Sequence, residues 1–145
     1  MVLVMASLIH GSSEVIKTID LYQSVIGRMA NSSASAKNWC VTIVSAVILL
    51  AAEQSQKQLV LIALIPTMLF FILDIYYLTL ERKFRESHDD FVDRLCLGTA
   101  TKDDLFKVGD TKFSFAETCS TVTSKSVWTF YLLISLALVV VYFVI

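Results

Sequence analysis

Asn38, Thr42, Ser45, Thr67 and Asp74 are polar side chains set in apolar stretches of this 145-residue chain, and they are its first candidates for chemistry. Asn38, Thr42 and Ser45 stand at i, i+4 and i+7, one stripe of a helix; Thr67 and Asp74 stand seven apart on one stripe of another. A charged side chain deep in a bilayer costs ~2.5–3.5 kcal/mol even on the lenient insertion scale, so it faces a partner or water. One reading makes these residues interhelical hydrogen bonds plus an ion pair of Lys37 with Asp74. The other makes the stripe also the lining of a water path in an oligomer, with all five as pore-lining candidates.

No other constellation points to a reaction. His88-Asp89-Asp90 with Asp93 holds metal-capable groups, but neighbours on a helix point about 100° apart, and no second histidine is near in sequence. The cluster reads as a solvated acidic face. There is no phosphate loop, nucleophile elbow or Cys-x-x-Cys pair. Cys40, Cys96 and Cys119 are not spaced for a metal site or a disulfide framework and read as small buried thiols. The expectation is therefore a protein that is not an enzyme and uses no cofactor or metal.

The elements that must position the polar residues follow from composition. With 56% hydrophobic and 17% charged residues and a mean hydropathy of +0.69, the chain reads as an all-α integral membrane protein in one domain, with the lipid bilayer as a partner. A net charge near −1 and the lack of a long basic block speak against nucleic acid. Gly11 and Gly98 bracket residues 14–97, whose only tight break is Glu53-Gln54-Ser55-Gln56-Lys57. The pattern predicts a long antiparallel helical hairpin. Each arm of about 40 residues is ~60 Å long, whereas a membrane core is ~30 Å thick. Half of each arm must then project as a stalk, which gives transmembrane stretches at about 38–52 and 58–80 and a cytosolic stalk of 14–37 and 81–97.

Serine before Glu14 suits a helix N-terminus. Val15, Ile19, Tyr22, Ile26, Met29 and Ser33 follow at spacings of three and four, a coiled-coil seam. The second arm has Tyr77, Phe84, His88, Phe91 and Leu95 as its seam, with Glu81–Arg85, Arg82–Glu86 and Asp90–Arg94 at i, i+4 on its surface. Centring the turn on 55 and 56 puts Val15 by Leu95, Ile19 by Phe91 or Val92, Ile26 by Phe84, Thr67 by Val44 and Ser45, and Asp74 by Lys37. The residues from Ser32 to Ala36 are all small, allowing close helix approach. Trp39 marks an interface, and Pro66 predicts a bend.

Residues 1–13 form an apolar N-terminal segment without the pattern of a signal peptide. Within a cytosolic insert at 98–126, residues 105–108 and 111–115 around Gly109-Asp110 suit a small β-hairpin. Residues 127–145 form an apolar run long enough to span, a C-terminal third transmembrane helix with Trp128 near its start. Of the 12 Lys and Arg, all but Lys57 precede Asn38 or lie between Glu81 and Ser126. The positive-inside rule then makes the N-terminus cytoplasmic and leaves the short turn and the C-terminus outside.

Arg28-Met29-Ala30-Asn31-Ser32, Lys37-Asn38-Trp39 and Val41-Thr42, with Leu73-Asp74-Ile75-Tyr76-Tyr77-Leu78, Glu81-Arg82 and Phe84-Arg85, resemble a widespread group of small bacterial multi-pass membrane proteins over roughly residues 25–90. In outline the hairpin is similar to two-span membrane effectors of anti-phage (abortive infection) systems. That resemblance implies a homo-oligomeric, pore-forming effector in the bacterial inner (plasma) membrane, which permeabilises the membrane when a cytosolic protein trigger binds. The alternative is a non-conducting membrane adaptor or scaffold whose stalk recruits a partner protein. A small transporter fits less well, because inverted repeats are lacking.

Overall fold

The structure, a computed structural model, describes residues 12–105 and 121–145, and no strand occurs among them. The helices are α1 (Ser13–Gln54), α2 (Lys57–Ile62), α3 (Leu64–Cys96) and α4 (Lys125–Val144), with a 3-10 turn at Lys102–Asp104 between α3 and α4. Three stretches are long and apolar enough to cross a membrane: Ser13–Gln54, Lys57–Cys96 and Lys125–Val144. The apolar N-terminal segment up to Gly11 and, apart from Leu105, the two expected strands lie outside the described residues.

Local chemistry explains where the helices stop. Ser12 caps α1: its Oγ accepts from the Val15 N–H at 3.4 Å and its carbonyl from the Ile16 N–H at 3.1 Å. At the other end Ser55 takes a left-handed conformation (φ 52°), and the N–H groups of Ser55 and Gln56 donate back to the carbonyls of Ala52 and Ala51. This is a Schellman cap. The same cap recurs at the end of α3, where Gly98 is left-handed (φ 68°) and the N–H groups of Gly98 and Thr99 donate to the carbonyls of Leu95 and Arg94. The bend expected at Pro66 lies one turn upstream, at Ala63 between α2 and α3. Proline has no N–H for the Ile62 carbonyl four residues earlier, and its ring crowds that carbonyl, so the disturbance falls on the preceding turn.

The chain divides into two compact units, the first from Met1–Ala30 with Leu80–Lys112 and the second from Asn31–Thr79 with Phe113–Ile145. In the first unit Val15, Leu95 and Ala100 form one buried cluster, and Val25, Leu80 and Phe84 another. Tyr22 stacks on Phe91 (centroids 6.2 Å) and meets His88 edge-on (5.8 Å). The buried stripe of α1 runs through Val15, Thr18, Tyr22 and Val25, so the seam is centred on Thr18 and Val25, with Ile19 and Ile26 half-buried beside it. Thr18 tolerates this because its hydroxyl donates to the Glu14 carbonyl at 2.9 Å, leaving only its methyl group to pack.

In the second unit Cys40, Val44 and Ala51 of α1, Val60 of α2, Ala63, Ile75 of α3, and Val127, Tyr131 and Leu138 of α4 share one core. Cys40, Ala51 and Ala63 are fully buried, and their small size lets the backbones approach closely. Tyr131 adds a polar tie, its hydroxyl donating to the Phe70 carbonyl at 2.9 Å.

Candidate functional site

The second unit contains a buried charged cluster. Asp74 of α3 has no exposed surface. Ser33 of α1 donates from its Oγ to Asp74 Oδ1. Lys37, one turn further along α1, donates to the same Oδ1 at 3.1 Å and to Ser33 Oγ at 3.2 Å. Its ammonium is also 3.0 Å from Asp74 Oδ2, which takes no hydrogen bond and is met by an ion-pair contact alone. The Lys37 side chain remains 21% exposed. A carboxylate removed from water is stabilised only by a nearby cation and by hydrogen bonds, and this one has both. The arrangement ties α1 to α3.

The polar candidates divide between two environments. Asp74 and Thr67 are buried within the unit. Thr67 donates to the Ala63 carbonyl at 2.8 Å and lies against the Cys40 side chain. Asn38, Thr42 and Ser45 are exposed on the opposite surface of α1. Ser45 therefore does not face Thr67, because the helix turns it away and Cys40 takes that position. Thr42 donates to the Asn38 carbonyl at 2.9 Å. Between Asn38 and Leu50 the other exposed side chains are apolar, among them Trp39, Val41, Ile43 and Leu49.

In the first unit His88 Nδ1 lies 3.0 Å from the exposed Asp89 carboxylate, and its buried Nε2 has no hydrogen-bond partner. Asp90 is 3.8 Å from Arg94. Among the described residues no group of three or more His, Cys, Asp or Glu side chains is gathered to hold a metal ion. Arg94 also donates at 3.0 Å to Asp104, whose other oxygen accepts from the Thr101 N–H and hydroxyl at 2.9 and 2.8 Å. This ties the 3-10 turn back onto α3.

Sequence reasoning missed three of these partners. Ser33 sits four residues before Lys37, which places both on the stripe that meets Asp74, but it reads as a mere small seam residue. Tyr131 is a phenol in the middle of an apolar run, and a buried hydroxyl there calls for an acceptor. Asp104 gave no spacing signal, since its partner Arg94 lies ten residues away across a turn. Compared with known protein families, curated proteins and solved structures, the chain has no match.

Proposed function

We propose that the chain is a multi-pass protein of the bacterial plasma membrane, with α1 and α2–α3 inserted as an antiparallel hairpin and α4 as a third span, and that it self-assembles into a pore. The observation that carries this reading is the exposed stripe of Asn38, Thr42 and Ser45 on an otherwise apolar surface. Facing lipid, the polar groups that the bond from Thr42 to the Asn38 carbonyl leaves unsatisfied, the Asn38 amide foremost, are costly, roughly 1–3 kcal/mol each. Facing a second copy or a water-filled lumen, they are satisfied. The distribution of basic residues sets the N-terminus and the 81–126 segment on the cytoplasmic side, where a protein trigger binding the distal stalk or the 98–126 insert opens the pore. Anti-phage defence is the setting in which such an effector permeabilises its own cell.

Ion flux from liposomes holding the full chain tests this. Thr42→Leu with Ser45→Leu should reduce flux while leaving assembly intact, because leucine is membrane-compatible and favours a dry constriction. Unchanged flux in the assembled double variant removes these residues from the lumen. A second reading is the non-conducting adaptor, supported by the burial of Thr67 and Asp74 within the protomer. It expects function to survive the leucine changes and to fail on reversal of exposed stalk charges such as Arg85 or Asp90.

A further inference from the structure

Along the seam of α3 with α4 lies an open cavity of about 510 Å³. Leu64, Met68 and Phe71 form one wall, and Trp128, Leu132 and Ser135 the other. A second cavity of about 200 Å³ shares Leu64 and Ser135 and continues along α4 towards Tyr142 and Phe143. Together they make one furrow on the outside of the second unit. We propose that this furrow seats one acyl chain of an anionic phospholipid, with Lys125 beside the headgroup phosphate.

Three features of the furrow select this occupant. The first is its polarity. The hydroxyls of Thr67, Tyr131 and Ser135 are spent within the protein, on the carbonyls of Ala63, Phe70 and Tyr131 at 2.8, 2.9 and 2.8 Å. With these donors engaged and the rest of the lining almost wholly apolar, the part of a ligand that enters must be largely apolar. The second is its size. At ~30 Å³ for a water-sized group, the larger cavity has room for on the order of 15 such groups, enough for a stretch of hydrocarbon chain.

The third is charge at one end. Lys125 is the sole charged residue of α4; it is exposed and has no ion-pair partner among the described residues. It stands three residues before Trp128, on the same side of the helix, and Trp128 is a furrow wall that remains 52% exposed. Tryptophan settles at the headgroup level and lysine just beyond it, which is the order in which a phospholipid presents its acyl chain and its phosphate. From Trp128 to Ser135 the wider cavity covers ~10 Å of helix at ~1.5 Å per residue, within the ~15 Å half-thickness of a bilayer core. The chain of one lipid in the leaflet on the Lys125 side fills it.

This inference rests on the membrane insertion proposed above, and one experiment separates the two. Trp39 lies on α1, away from the furrow walls, so Trp39→Phe and Trp128→Phe each leave one reporter. Each full-length variant is reconstituted into phosphatidylcholine vesicles doped with acyl-brominated phosphatidylglycerol or with acyl-brominated phosphatidylcholine, and tryptophan quenching is read. Trp128 should be quenched at several-fold lower doping by the anionic lipid, about fivefold for one basic residue near the headgroups. Trp39 should be quenched by both lipids alike. Lys125→Gln should abolish the preference at Trp128, and Ser135→Phe, which fills the furrow from its open side, should weaken quenching by either lipid while helicity is retained. Quenching of both tryptophans without any lipid preference overturns the furrow site and leaves insertion standing. So does an unquenched Trp128 with disulfide cross-linking between copies carrying cysteine in place of Leu132, which assigns the furrow to a second subunit. Absence of quenching at both tryptophans overturns insertion and the site together.

Discussion

Removing one partner of the Ser33–Lys37–Asp74 cluster should be costly, and unequally so for the two charges. Lys37→Ala leaves a fully buried carboxylate with a single hydroxyl donor, the situation in which breaking a buried pair costs about 3–5 kcal/mol. Asp74→Ala leaves a lysine that is already 21% exposed and can turn its ammonium to water, so its loss should be smaller, about 1–3 kcal/mol. The double variant has neither the pair nor an orphaned charge. It should recover part of the Lys37→Ala loss, with a coupling of ~0.5–3 kcal/mol. The measurement is a double-mutant cycle on the purified chain, following loss of helicity as a denaturing detergent is titrated against a mild one. Strictly additive variants, or an Asp74→Ala loss larger than that of Lys37→Ala, refute the reasoning.

Two further outcomes are expected. Gly98→Ala places a Cβ on a left-handed backbone in otherwise open space, so its loss of about 1–2 kcal/mol is conformational alone, whereas Ser55→Gly relieves the same strain at the other cap and should raise the unfolding midpoint. A cysteine at Gln56 should react with an impermeant thiol reagent applied outside the cell and one at Asp103 should not, with labelling of position 56 only after the membrane is opened removing the proposed topology.

The extent to which the structure was legible in the sequence depended on whether the signal was local. Ser12, Glu14 and Gly98 announced helix ends because capping needs only neighbouring residues. The opposition of Lys37 to Asp74 followed from counting outward from the turn, since two helices of constant rise stay in register. What failed was the side-by-side detail. Thr18 was passed over in favour of Ile19 because a threonine reads as polar until its hydroxyl is seen to bond its own helix. The polar residues read as one lining set separated because Cys40, a residue with no periodic signal of its own, packs against Thr67 and turns Ser45 outward. The furrow had no sequence signature, since it exists only where the large side chains of two helices leave space between them.

The division of polar groups also decides which residue should govern assembly. Helices in lipid gain nothing from hydrophobic burial against one another, so association depends on close packing and on hydrogen bonds that lipid cannot supply. Thr42 already spends its hydroxyl on the Asn38 carbonyl and has least to gain from a neighbour. The Asn38 side chain is exposed and carries two donors and an acceptor that its own backbone does not meet in full. If copies associate through this face, Asn38→Leu should weaken association by about 3- to 18-fold, the equivalent of one interhelical hydrogen bond of ~0.6–1.7 kcal/mol, and Thr42→Val should leave it nearly unchanged. Energy transfer between labelled copies, followed as the vesicles are diluted with lipid, reads the difference directly. Equal weakening by the two changes assigns the interface to packing along α1, and no weakening by either moves it to another face of the protein.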